Sequence, residues 1–151
     1  MLVYRIASPK YIDDLSGVGA KLYGGRWNDK RTALVYFAGS RAMAVMELLV
    51  HLRPENLDGE YVLAVFEVPD DKFKTVEVRD LPLDWKVEPA TGDLKKIGNE
   101  FVAENGFLLM KVPSVLVEEE FNVVMNPIHI DVNKVKLISK RTFKFDLRFK
   151  K

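Results

Sequence analysis

The chain has 151 residues, 48% apolar and 30% charged, with 23 basic and 22 acidic side chains for a net charge of +1. A domain of that length buries roughly 70% of the surface its unfolded chain exposes, so it can hold a core without staples. The absence of cysteine excludes disulfides and thiolate metal sites, and the near-neutral charge argues against bulk attraction to nucleic acid.

LVYRI (2–6) reads as a first strand, and the Gly-, Ser-, Asp- and Pro-rich residues 8–25 as a long loop. ALVYFA (33–38) is a short apolar strand. Ser40 then caps a helix, RAMAVMELLVHLR, that Pro54 ends. EYVLAVFEV (60–68) and FKTVEV (73–78) alternate like strands. Residues 79–92 form a loop. DLKKIGNEFVAEN (93–105) is a second helix with Leu94, Ile97 and Phe101 on one face and Gly106 suited to its C-cap. FLLMKV (107–112), SVLVEE (114–119), NVVM (122–125) and VKLIS (135–139) read as short strands. TFKFDLRFK (142–150) alternates strictly, placing Phe143, Phe145, Leu147 and Phe149 on one face. No repeat or linker divides the chain, so residues 1–151 read as one α+β domain with few helices and mixed or antiparallel sheets. The N-terminus MLVYRIASPK lacks a basic leader ahead of an apolar stretch, and no apolar run reaches bilayer length. The expectation is a cytoplasmic protein without a membrane role.

Several familiar motifs fail on inspection. Gly17-Val18-Gly19 begins a dinucleotide fingerprint, but position 22 is leucine and no strand leads into it. There is no Walker A sequence, and His51 and His129 are not in metal-ligand spacing. No metal is expected. Residues 140–151 carry six basic residues and one acidic, which reads first as a solvated strand face and second as a phosphate-binding edge.

The stretch LYGGRWNDK (22–30) is harder to dismiss. Gly24 and Gly25 give a permissive backbone without side chains. Arg26 brings a planar fork suited to phosphate or carboxylate, and Trp27 a flat surface that wants burial. In the first helix, Ser40, Ala44, Glu47 and His51 fall on one stripe. Taken alone that stripe faces water; alternatively it lines a cleft, with Glu47 as the working carboxylate. Ser114 reads locally as a strand-start hydroxyl after Pro113, and Asn122 and Asn126 as strand-end turn residues.

Together VYRIASPKY, GVGAKLYGGRWN, LVYFAGSRAMAVMELLVHL and VPSVLVEEEFNVVMNP resemble the RES domain over nearly the whole chain. That family is named for an arginine, a glutamate and a serine, which match Arg26, Glu47 and Ser114. It supplies the toxins of bacterial toxin–antitoxin pairs whose antitoxins are Xre-like. Asp29-Lys30-Arg31-Thr32 lacks the glycine that members often have there, and NPIHI replaces a frequent NP-x-HP. The resemblance implies a fold like that of ADP-ribosyltransferases and NAD as substrate, consumed by hydrolysis, by phosphorolysis or by transfer of ADP-ribose to a protein. It implies Arg26, Glu47 and Ser114 as catalytic residues and an Xre-like antitoxin as partner. A second copy of the chain within the complex, and nucleic acid reached only through the antitoxin, are further expectations.

Chemistry sets the remaining roles. Cleaving the nicotinamide–ribose bond is N-glycoside cleavage, with oxocarbenium character by analogy with sugar hydrolysis. Nicotinamide leaves as a neutral molecule, so the site needs negative charge near the ribose rather than a general acid. Glu47 can supply that charge, and Arg26 can pair with the diphosphate. Arg5 is a second phosphate candidate, Gly25 a close-approach residue, Tyr36 a flat wall, and Ser114 and Asn122 hydrogen-bonding groups. A nucleic-acid-directed toxin using the basic tail and an inactive binding module are the competing classes.

Overall fold

The computed structural model describes residues 1–151. Seven strands form one sheet: β1 (Leu2–Ala7), β2 (Val35–Ala38), β3 (Tyr61–Glu67), β4 (Lys74–Thr75), β5 (Leu109–Pro113), β6 (Phe121–Met125) and β7 (Lys136–Phe143). Their order across the sheet is β4-β5-β6-β2-β1-β3-β7. Every pairing is antiparallel except β4 with β5. The helices are α1 (Val18–Tyr23), α2 (Arg41–Leu49) and α3 (Gly92–Glu104). This is the expected α+β class, built on one sheet rather than several.

The side-chain alternation of the strands divides the interior. Val3, Val35, Phe37, Ala64, Phe66, Leu109, Val123 and Met125 gather on one face of the sheet, where Ile12 from the 8–16 loop packs against them. The opposite face carries two clusters. Ile6, Ala38, Leu63 and Val65 receive Met43 and Ala44 of α2. Met110, Val112 and Val124 receive Leu94 and Phe101 of α3 together with Trp27, Leu34 and Trp85. Both longer helices therefore cover one face, over different ends of the sheet, and the surface between them belongs to the middle strands.

Several elements differ from the sequence reading. The 8–25 loop contains α1, which buries none of its residues. Helix α2 stops at Leu49, and the residues before Pro54 continue as tight turns, with His51 N donating to Leu48 O and Leu52 N to Leu49 O. Only Lys74 and Thr75 of the 73–78 stretch pair as a strand. Asn105, not Gly106, closes α3 in the left-handed region at φ 50°. Asparagine tolerates that conformation, and here its Oδ1 also accepts from Asn126 Nδ2 at 2.8 Å.

Residues 114–119 are not a strand. Ser114 N donates to Glu120 O at 2.9 Å, closing a turn between β5 and β6. The two final stretches read from sequence are one strand, β7, followed by a 3-10 turn at Leu147–Lys150. Strand pairing ends at Phe143. Phe145 turns inward to 6% exposure, edge-on to Tyr61 and Phe143, while Leu147 and Phe149 stay exposed. Part of the basic charge of this region is paired, Lys140 with Asp13 at 2.7 Å and Arg148 with Asp146 at 2.8 Å.

Candidate active site on the helix-covered face

Glu47 sits on α2, whose start is fixed by Ser40: the Ser40 hydroxyl accepts from Met43 N at 3.1 Å. Ala44, one turn earlier on the same stripe, is buried against the sheet, whereas His51 is exposed. The stripe thus runs from core to solvent, and Glu47 is half-buried between the two. Ser114 Oγ donates to Glu47 Oε1 at 2.8 Å, and Asn122 Nδ2 donates to the same oxygen at 2.6 Å. No protein donor reaches Oε2. Glu47 is thus neither a freely solvated side chain nor a core one: it is tied across the sheet face to Ser114 and Asn122.

Ser114 is fully buried. Besides donating to Glu47, its hydroxyl accepts from Leu116 N at 3.1 Å. It is therefore a turn-forming residue and a carboxylate partner at once. Asn122 is not a turn residue. It lies within β6, opposite Ala38 of β2, and its Oδ1 is buried without a partner. Asn126 does behave as a turn residue, its Oδ1 accepting from Ile128 N at 3.1 Å.

Tyr36 shares this sheet face, since Tyr36 pairs with Val124 and Ala38 with Asn122. Its hydroxyl organises the 25–28 turn, accepting from Trp27 N at 3.1 Å and donating to Asn28 Oδ1 at 2.6 Å. Burial pushes the Tyr36 phenol well above its ordinary range, against a smaller opposing effect of the Trp27 N–H. Gly25 is required by this packing: a Cβ there would lie 2.7 Å from the Tyr36 hydroxyl oxygen and 2.9 Å from Asn28 Oδ1. The close approach expected of Gly25 is thus made to the protein's own Tyr36.

Asn28 is the residue that the sequence reading passed over. It is fully buried, and its Nδ2 lies 2.9 to 3.0 Å from the carbonyl oxygens of Ala20, Asp29 and Thr32. It ties α1, the turn and the following loop to Tyr36. Helix α3 clamps the other side. A Cβ at Gly98 would fall 1.7 Å from Trp27 O, and Asn99 bonds both the backbone and the carboxylate of Asp29. Its position beside two glycines and a tryptophan was the available signal for Asn28.

Arg26 projects from this clamped turn. Its Nη1 donates to the carbonyl oxygens of Trp85 and Val87, each at 3.2 Å, and its Nη2 to the Glu88 carboxylate. No hydrogen bond or ion pair joins Arg26 to Glu47. The two are linked through the sheet, by way of Asn122, Tyr36 and the 25–28 turn. Trp85 and Glu88 lie in a loop that showed no functional signal in the sequence.

Arg5 does not belong to this group. It pairs with Ala64, on the opposite face of the sheet. Its Nη1 donates to Asp14 O at 2.7 Å and Ile12 O at 3.5 Å, which anchors the 8–16 loop. Burial lowers its pKa, with Asp14 and Asp13 opposing that shift.

The arrangement defines an α+β domain with a carboxylate, a hydroxyl and a carboxamide converging on one sheet face, beside an arginine-bearing turn. The chain belongs to the RES domain family, whose model matches residues 2–147. It is 41% identical over 139 residues to a Sphingobium protein named Prs ADP-ribosylating toxin, spanning 90% of this chain and 86% of that one. It is 34% identical over 152 residues to Toxin Res of Yersinia enterocolitica, spanning 99% of this chain and all of the relative. The fold is similar to one in the crystal structure of the Mycobacterium tuberculosis MbcT–MbcA toxin–antitoxin complex, with a TM-score of 0.80 at 18% identity, covering 95% of this chain and 84% of that one. No helix is long and apolar enough to cross a membrane.

Proposed function

We propose that this chain is the toxin of a toxin–antitoxin pair and that it consumes NAD by cleaving the nicotinamide–ribose bond. The observation that carries this reading is the convergence of Ser114 and Asn122 on Glu47 Oε1, which leaves Oε2 free of protein donors. A half-buried carboxylate fixed at one oxygen and open at the other suits a developing positive charge at a ribose carbon, because its orientation is set before reaction. The C–N electron pair leaves with nicotinamide. Water or phosphate supplies the new bond at the same carbon, and Glu47 Oε2 can accept the proton that a water nucleophile loses.

Arg26 holds the diphosphate, Tyr36 walls the pocket, and Asn122 fixes Glu47 through its Nδ2. Ser114 acts by holding Glu47. In this reading Arg5 contributes by anchoring the 8–16 loop rather than by touching substrate, and Gly25 by admitting Tyr36. An Xre-like antitoxin is the proposed partner; the fold's likeness to a toxin–antitoxin complex supports an antitoxin. The site works in the cytoplasm, where NAD and that partner are found.

A second reading is favoured by the name of the Sphingobium relative: transfer of ADP-ribose to a protein side chain by the same site. Incubating the purified chain with NAD, with and without phosphate and with a candidate acceptor protein, separates the possibilities. Free ADP-ribose marks hydrolysis, a phosphorylated ADP-ribose marks phosphorolysis, and a mass increase on the acceptor marks transfer. Intact NAD at high enzyme concentration, in the absence of antitoxin, refutes both readings.

A further inference from the structure

The Arg26 fork has two unlike halves. Its inner nitrogen is held by the carbonyl oxygens of Trp85 and Val87, in a segment pinned by Trp85, which is 5% exposed within the α3-side core. Its outer nitrogen is held by Glu88, whose side chain is 73% exposed against 17% for Arg26 itself. A carboxylate and a phosphate ask the same of a guanidinium, namely adjacent N–H donors facing charged oxygens. One edge of the fork is therefore fixed by backbone, and the other is filled by a charged group that water can reach and carry away.

Resting on the reading of Arg26 as the group that holds substrate anion, we propose that Glu88 is an affinity-determining residue: an intramolecular anion on the outer edge of Arg26 that the incoming diphosphate displaces. The backbone contacts to Trp85 and Val87 keep the guanidinium aimed while this exchange takes place. An exposed ion pair of this kind is weak, worth a factor of about 1.5 to 5 in an equilibrium, so a dianionic ligand can displace it. Its presence still lowers affinity, because the ligand must first break the internal pair. The opposite role, in which Glu88 braces Arg26 for the ligand, predicts the opposite sign.

The test is calorimetric binding of inorganic pyrophosphate, which carries the anion but no nicotinamide, to the full chain and to Glu88→Gln, with thermal melts to check folding. Glu88→Gln should bind about two- to fivefold more tightly, and the gain should vanish when Arg26→Lys is added. Equal or weaker binding by Glu88→Gln, a gain that survives Arg26→Lys, or no binding by either protein would overturn the proposal. Nicotinamide release from NAD is read separately. Release together with unchanged pyrophosphate binding removes the internal competitor and keeps the NAD reading. Tighter pyrophosphate binding with NAD left intact removes the NAD reading and keeps Glu88 as guard of an anion slot.

Discussion

The Ser114 hydroxyl donates to Glu47 Oε1 over 2.8 Å, across a sequence separation of 67 residues. A buried serine that also accepts from Leu116 N thereby holds the carboxylate in one orientation. Removing the hydroxyl in Ser114→Ala leaves the Leu116 N–H short of its partner and Glu47 Oε1 short of a donor, at a cost of about 1–3 kcal/mol. For a chain of this size that lowers Tm by roughly 2–12 °C. Calorimetric melts check it; a melt within error of wild type would mean that the hydroxyl bears no structural load.

Glu47→Gln should reduce nicotinamide release about 100- to 1000-fold, the range for loss of one preorganised electrostatic group. The glutamine carbonyl can still accept from Ser114 and Asn122, so the fold should persist. Turnover and thermal melts measured together decide the point. Near-wild-type turnover, or loss of the fold, would return Glu47 to a structural role.

Lysine at position 26 keeps the charge but lacks a planar fork that can face two carbonyls and an anion together. Arg26→Lys should therefore lower kcat/KM for NAD roughly ten- to a hundredfold, the worth of a charge-assisted hydrogen bond. Steady-state kinetics measure this, and unaltered kinetics would argue against direct contact with the ligand.

Tyr36 gives the protein an alkaline liability. Its folded-state pKa is raised above 10.0, chiefly by burial, so the folded protein keeps a proton that the unfolded chain sheds near that pH. Stability is unaffected by this group below pH 10 and falls as pH rises above it. Urea unfolding on either side of pH 10 should show a steeper alkaline loss in wild type than in Tyr36→Phe. Parallel losses would place the liability elsewhere.

Arg31 adopts φ 81°, in the Asp29–Thr32 loop that has no glycine. A left-handed conformation costs an L-residue about 1–2 kcal/mol, and glycine's extra unfolded-state entropy returns about half of that. Arg31→Gly should stabilise the chain by about 0.5–1 kcal/mol, read as a shift in the urea midpoint. A destabilised variant would show that the arginine side chain supports the loop.

Where hydrophobic pattern alone decided structure, the sequence was readable. The alternation of 60–68 placed β3, and Ser40 fixed the start of α2. It misled at 114–119, where an apolar run resembles a strand but the Ser114–Glu120 backbone bond closes a turn. It misled again at 142–150, where alternation continues after the ladder has run out of partners. The separate members of the site could be nominated from residue chemistry and family likeness, but their joining could not. Glu47 meets Asn122 only because β2 pairs with β6 and α2 folds back over their face. Glu88 was beyond reach, because an exposed glutamate in a loop has no local mark that it will meet an arginine 62 residues away.

The placement of β6 beside β2 also bears on how such a chain is made. Glu47 emerges 75 residues before Asn122. At about 5–20 residues per second, translation needs roughly 4–15 s to cover that interval. For most of that time the carboxylate has neither Ser114 nor Asn122 to hold it, and β2 lacks one of its two neighbours. A ribosome-bound fragment ending before β6 therefore carries Arg26 and Glu47 without Asn122. The Glu47–Ser114–Asn122 cluster is thus completed only late in synthesis, once β6 has been made.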